Sequence, residues 1–367
     1  MTLAAPGFEA VAEEFERTRG DRAAAFAVSL DGEPVLDLWS GDAAADTLYL
    51  IFSGTKGLVA ACMALLVDRG TIDLDAPVAR YWPEFDKPGV RVSHVVSHTA
   101  GLPGLRRGVD AADLLDGRRL AAELAVEPAF WPPGERIAYH AFSYGVLCDE
   151  LIRRVDGRSA GVFFADEFAA PLGLELWIGL PPELEPRVAR LRRAPGFAPT
   201  LVGDAPAALL PVLYGSLPEE FPWNEPAFHQ TEIPAANAIG TARSIARFYA
   251  SLPPGVVALG RRELSRGSCA VTRRPYAFSV GFELPTELGT LGPPEDAFGH
   301  SGSGGSAHGC WPGARVGFSY ATSELRPEAQ DDRARRLLGA LAQALRERSS
   351  VDQKSSPVSM YRREPAG

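Results

Sequence analysis

Apolar residues change their spacing several times along this chain, and the changes mark out its elements. Phe8, Val11 and Phe15 recur at helical intervals within residues 7–19, which predicts an amphipathic helix. The period then shortens. Ala23 to Leu30 (AAAFAVSL) and Pro34 to Trp39 (PVLDLW) read as short strands joined by Asp31-Gly32, a pair that tolerates the positive φ of a tight hairpin. Gly57 to Arg69 (GLVAACMALLVDR) is rich in helix formers and apolar nearly all round, the pattern of a helix buried inside a domain. Val92 to His98 predicts a short helix closed by Gly101. From about Gly104 to Pro234, helical spacing is interrupted by proline-rich loops, among them Pro181-Pro182, Pro218 and the stretch from Pro222 to Pro226. Strand spacing returns in Phe278 to Leu284, Ala297 to His300, Ser306 to Trp311 and Val316 to Thr322. Leu337, Leu338, Leu341 and Leu345 then line one face of a last helix, Asp331 to Arg348.

This order predicts an α/β fold of the α+β type: a central antiparallel sheet assembled from both chain ends, flanked by helices, with a mostly helical subdomain at one side. A single domain is expected over residues 1–348. Its sheet region would be drawn from about 7–103 and 235–348 and its subdomain from about 104–234, leaving 349–367 as a polar, disordered tail.

Composition narrows the function. The hydrophobic fraction of 46% and charged fraction of 23% are those of a globular chain with a sizeable core. A formal net charge of −9 argues against nucleic acid or an anionic membrane as the main partner, and favours a small or neutral substrate. Acidic residues interrupt the N-terminal segment where a signal peptide needs an apolar run, and no stretch is long enough to span a bilayer, so a cytoplasmic location is expected. Cys62, Cys148, Cys269 and Cys310 are isolated, with no C-x-x-C pair and no histidine at a ligand spacing. They read as buried free thiols, and neither a metal nor a cofactor is expected. Oligomeric state is not legible.

The chemistry centres on Ser53-Gly54-Thr55-Lys56. A serine hydroxyl is a poor nucleophile without a nearby base, and residues i and i+3 share a helix face, so Ser53 and Lys56 fit that pairing if the helix begins at about Ser53. Burial would strip water from the Lys56 ammonium and lower its pKa towards that of a competent base. On its own the tetrad also reads as a helix N-cap followed by a solvated lysine. Further along stand Ser97-His98-Thr99-Ala100-Gly101-Leu102-Pro103, then Pro133-Gly134 followed by Tyr139-His140-Ala141, and finally His300-Ser301-Gly302.

In this order and separation, over roughly residues 7–348, the set resembles the serine β-lactamase and penicillin-binding-protein superfamily. It is most similar to the class C-like branch, which holds class C β-lactamases, D-aminopeptidases and D,D-peptidases, family VIII carboxylesterases, and transacylases of natural-product pathways. The resemblance implies Ser53 as nucleophile, Lys56 as its partner, and Tyr139 as the tyrosine of a Tyr-x-Asn motif. A phenol is a weak base unless a cation lowers its pKa, and Lys56 would supply that field. The other reading of Tyr139 is a packing aromatic ahead of a helix over Phe142 to Arg154. His300-Ser301-Gly302 stands where the superfamily has Lys-Thr-Gly, on a strand edging the site, with Gly302 because a strand passing close to substrate has no room for a Cβ. By the same alignment the N–H groups of Ser303 and Ser53 form an oxyanion hole; Ser303 to Ser306 also reads as a plain hairpin turn. His98 reads as structural. His308 is a candidate substrate contact beside the site strand, and Trp223 and Phe228 read either as pocket lining or as surface loop aromatics.

Two positions depart from the pattern. Ala141 replaces the Asn of Tyr-x-Asn and His300 the Lys of Lys-Thr-Gly, which removes two handles for a β-lactam amide and carboxylate. The departures favour an ester or thioester. The expected activity is hydrolysis of small carboxylic esters through an acyl-Ser53 intermediate, and its nearest rival is an acyltransferase of specialised metabolism that passes the acyl group to an amine or alcohol. A β-lactamase, a D-aminopeptidase, or a binding protein with a retired site fits the residues less well.

Overall fold

The computed structural model describes residues 3–197, 221–327 and 330–355. Its strands in chain order are β1 (Leu3–Ala4), β2 (Ala24–Leu30), β3 (Glu33–Ser40), β4 (Tyr49–Leu50), β5 (Leu176–Ile178), β6 (Arg192–Arg193), β7 (Ala238–Gly240), β8 (Ser265–Ser268), β9 (Pro275–Phe278), β10 (Phe298–Gly302), β11 (Ser306–Trp311), β12 (Val316–Thr322) and β13 (Glu324–Leu325). The main sheet runs β1-β3-β2-β12-β11-β10 with every neighbouring pair antiparallel. The two chain ends meet where β2 pairs with β12, from Leu30 opposite Val316 to Ala24 opposite Thr322. The Asp31-Gly32 turn forms as expected, with φ of 56° and 85°. A smaller sheet, β4-β7-β5, leads into the Ser53 turn.

The run Ala24 to Val28 lacks polar alternation because both faces of β2 are buried. Ala24, Phe26 and Val28 point into a core shared with helix α1 (Glu9–Thr18) and the C-terminal helix Arg333–Ser355, through Phe8, Val11 and Phe15 on one side and Leu337, Leu338 and Leu341 on the other. Ala23, Ala25 and Ala27 face the larger core. Small residues on that face admit the helix Ala242–Ala250, which lies against β2, β11 and β12. The approach is close: a Cβ on Gly317 would sit 2.2 Å from the Ala246 carbonyl oxygen and 2.5 Å from the Ala250 nitrogen.

Beyond this layer lies helix α2 (Thr55–Asp68), buried at each position from Thr55 to Leu66, as its all-round apolar sequence requires. It packs against the helices Pro254–Arg261, Ser143–Asp156 and Ala160–Phe164 and against β10. The helix starts at Thr55, not at Ser53. Gly54, Thr55 and Lys56 each donate to the residue three positions earlier, so a tight 3₁₀-type turn carries the chain into the α pattern and leaves Ser53 in the turn.

Two other expectations are corrected. The strand expected over Phe278 to Leu284 stops at Phe278: Ser279 N–H turns back to the Phe282 carbonyl, Gly281 takes φ 109°, and the chain rejoins the sheet as single bridges from Glu283 to Gly299 and Phe278. The last helix runs to Ser355, so the tail expected from 349 begins as helix, and residues 356–367 lie outside the described residues. The central interval carries helices as expected, Gly117–Val126 and Ser143–Asp156 the longest described there, together with the short strands β5 and β6; Pro218 lies outside the described residues. Gly317→Val forces a branched side chain into backbone atoms, and a fall in unfolding free energy of about 1–3 kcal/mol or more is expected from urea denaturation. An unchanged midpoint would show that the helix Ala242–Ala250 does not press on β12.

Candidate active site

Ser53 sits between β4 and α2, half-buried among fully buried neighbours. Phe52, immediately before it, adopts φ 47°, a left-handed conformation that bulky residues rarely take. The turn is held from within, since Thr55 Oγ1 donates to the Phe52 carbonyl (2.6 Å) and accepts the Ala238 N–H (2.8 Å). Lys56 is fully buried. Its Nζ lies 3.1 Å from Ser53 Oγ, donates to the Ala235 carbonyl at 2.8 Å, and stands 4.9 Å from the centre of the Tyr139 ring. Burial pulls the ammonium down to about 7, with the Glu283 carboxylate pulling the other way. At neutral pH a large share of Lys56 is therefore the uncharged amine. The Ala235 carbonyl reaches it because the helix Ser143–Asp156 presents Gly145, where a Cβ would meet the Ala235 nitrogen at 2.5 Å.

Tyr139 is held in a cluster of neighbouring rings. Its ring stacks on His98 at 4.9 Å and on Tyr276 at 5.3 Å. His98 also grips the backbone on each side of Tyr139: its carbonyl accepts the Ala138 N–H (3.0 Å) and its Nδ1 accepts the His140 N–H (2.9 Å). Such an Nδ1 is unprotonated, and burial holds the ring well below the ordinary histidine range, so His98 is a neutral support. It follows the short helix Val92–Val96 and takes φ 59°. The left-handed residue ending that helix is thus His98 and not Gly101, whose own φ of 75° serves a close approach to the Trp131 carbonyl. His140 donates through Nδ1 to the Ala138 carbonyl and accepts the Leu102 N–H at Nε2 (3.3 Å), and burial lowers it to about 4. Ala141 is buried beside it.

β10 is the last strand at one side of the six-stranded sheet. A Cβ on Gly302 would lie 2.3 Å from the Ile51 carbonyl oxygen and 2.4 Å from Ser306 Oγ, so this glycine lets β10 press on the segment leading to Ser53. The close approach is to the protein itself. Among the described residues, the N–H groups of Ser53 and Ser303 have no acceptor. His300 is fully buried, its Nδ1 donating to the Ser301 carbonyl (2.7 Å). Burial lowers its pKa against the opposing pull of Glu283. His308, on β11, is the residue opposite it and is also fully buried, Nδ1 beside Ser319 Oγ at 2.8 Å and the ring against Gly54. The structure places His308 beneath the Ser53 turn. Trp223 and Phe228 are buried too: Trp223 lies edge-on to Phe52 at 5.6 Å and to Phe228 at 5.6 Å, stacks near Phe142 at 6.2 Å, and its carbonyl accepts from His229 Nε2 (2.8 Å). The surface reading of these two aromatics is overturned by the Phe52 ring that Trp223 covers.

The β-lactamase family profile matches residues 8–343. The chain belongs to the β-lactamase family. Among its relatives, the esterase/β-lactamase LipL of Mycobacterium tuberculosis is 35% identical over 344 residues, 82% of this chain and 77% of that protein. Among solved structures, EstA from Arthrobacter nitroguajacolicus superimposes with a TM-score of 0.85 at 29% identity, covering 95% of this chain and 100% of that one. A family VIII carboxylesterase superimposes with a TM-score of 0.84 at 33% identity, covering 94% and 99%.

This β-lactamase-family chain is a serine hydrolase, and its candidate site brings together four separated stretches: the Ser53 turn and α2, the Tyr139 segment with His98 beside it, the Ala235 loop, and β10 with Glu283. The first and second were visible as motifs. Ala235 and Glu283 were not, because one contributes only a carbonyl and the other belongs to no spaced pattern. No helix among the described residues is long and apolar enough to cross a membrane. His98→Ala removes a buried ring and leaves the His140 N–H without its acceptor. A loss of about 3 kcal/mol or more in unfolding free energy is expected, measured by chemical denaturation. A loss below about 1 kcal/mol would remove His98 as the support of the Tyr139 segment.

Proposed function

We propose that this protein hydrolyses small carboxylic esters through an acyl-Ser53 intermediate. The observation that carries the reading is Ser53 Oγ at 3.1 Å from an amine that burial holds near neutrality. In this reading Lys56 takes the Ser53 proton as Oγ attacks the ester carbonyl, and the N–H groups of Ser53 and Ser303 receive the developing oxyanion. Tyr139 relays the proton to the departing alkoxide, which leaves as the alcohol. Water then attacks the acyl-enzyme, gives up a proton to the same unit, and releases the carboxylic acid and free Ser53.

The ester preference is supported by what Ala141 and His300 cannot supply. Ala141 has no amide to meet a β-lactam side chain, and burial pulls His300 towards a neutral ring where a lysine would offer a cation. The names of the relatives point the same way. Phe52, Phe142 and Trp223 form an apolar wall beside the serine, suited to an apolar acyl or alcohol group. Capture of the acyl-enzyme by an alcohol or amine shares the first half-reaction, and such a wall favours it over water only where an acceptor fills it.

A fluorophosphonate should label Ser53, read by intact-protein mass spectrometry and peptide mapping, and Ser53→Ala should lose on the order of 10⁴-fold or more of p-nitrophenyl ester turnover while keeping its fold. Label on another residue, or none, would sink the assignment. Because the base must be the uncharged amine, kcat/KM should fall as pH drops through an acid limb near 7, the value to which burial brings Lys56. A flat profile between pH 5.5 and 8.5, about 1.5 units either side of that value, would exclude Lys56 as the base.

A further inference from the structure

The edge of β10 beyond the Ser53 turn is closed in an unusual way. Glu283 first pairs through its backbone, its N–H donating to the Gly299 carbonyl (2.8 Å) and its carbonyl accepting the Gly299 N–H (3.2 Å). The chain around it then turns away, since Gly281 has φ 109°. Two residues further along β10 the Glu283 side chain takes over: Oε2 accepts the Ser301 N–H at 2.9 Å and Oε1 the Ser301 hydroxyl at 3.2 Å. The carboxylate therefore stands where the next strand's carbonyl would be. Alternate N–H groups of a strand face the same edge, so Gly299 and Ser301 share one edge of β10, and Ser303 follows two residues on, in the turn after the strand. The first two are satisfied by Glu283, and the third has no acceptor among the described residues.

The same carboxylate is buried, and its Oε1 stands 3.7 Å from His300 Nδ1. We propose that Glu283 is a positioning residue of the acyl-transfer site, tying Ser301, two residues before the oxyanion donor, to a buried negative charge that faces Lys56. The proposal rests on the reading of Lys56 as base. The groups that face Glu283 are Lys56 on α2, His300 on β10 and Tyr249 on the helix Ala242–Ala250. Lys56 in turn faces Tyr139, His98, His140 and His300, and the three histidines are held by burial below their ordinary range. Glu283 thus opposes the desolvation that lowers Lys56. It keeps the amine from losing its proton for good, so that Lys56 can return a proton during turnover.

Glu283→Gln keeps an acceptor for the Ser301 N–H and removes the charge. Its kcat/KM acid limb should move to lower pH by about half a unit or more, since a lost opposite charge disfavours the ammonium. A purely structural Glu283 would change rates without moving the limb, so a folded Glu283→Gln enzyme with the wild-type limb overturns the charge role. Titration of Lys56 by NMR with ¹³Cε-lysine, in wild type and variant, reads the same shift without using activity. If wild type shows no limb near 7 yet the NMR titration moves, the base assignment fails and the Glu283 field stands; if neither moves, the field fails. Glu283→Asp, made in parallel, keeps the charge but draws the carboxylate back from Ser301. It should hold the limb near its wild-type pH while lowering plateau kcat by about tenfold or more, and a wild-type plateau would overturn the tether.

Discussion

An ammonium group in the first turn of a helix that water does not reach is the constraint on which this structure depends. Moving such a charge out of water costs several kcal/mol unless partners compensate, and the group escapes by losing its proton. Lys56 meets few compensating partners: Ser53 Oγ, one carbonyl and a distant carboxylate. Everything that keeps α2 dry therefore also lowers the Lys56 ammonium. The alanine-rich face of β2, the glycine of β12 that admits a helix, and the packing of three more helices around α2 all act on the same amine. Core and chemistry cannot be varied separately here.

The polar groups around that amine are arranged so as not to compete with it. His98, His140, His300 and His308 are all fully buried, and burial lowers each of them. His140 bonds through both ring nitrogens and His98, His300 and His308 through Nδ1, to backbone or hydroxyl groups, which gives rigidity without a second cation. A protonated imidazole in any of these places would repel the Lys56 ammonium and depress it further. The histidine that replaces a lysine on β10 belongs to this economy of charge, and it leaves Lys56 and Glu283 as the opposed pair.

Much of this was legible in the sequence where a pattern is local. The two strands around Asp31-Gly32, the all-round apolar helix after Ser53 and the strands Ser306–Trp311 and Val316–Thr322 are each set by residues within a few positions of one another. Ser53 with Lys56, and Tyr139 after Pro133-Gly134, were visible because their spacing is itself the signal. Glu283 was hidden inside what reads as a continuous strand, since nothing local says that the chain turns at Gly281 and that a side chain then continues the ladder. Trp223 reads as a surface residue among Pro222, Asn224 and Glu225; the distant Phe52 and Phe142 rings, with Phe228, explain its burial. The start of α2 was displaced by two residues because a 3₁₀ turn and an α turn have the same apolar pattern.

The pairing of β2 with β12 joins residues near 30 to residues near 316, almost the full length of the chain. Contacts of such separation form late, because the intervening loop must be closed before they contribute. Ser53 and Lys56 precede in the chain every strand from β10 to β12, and α2 packs on β10. A chain that stops short of β10 would therefore lack part of the packing that buries Lys56 and lowers its ammonium.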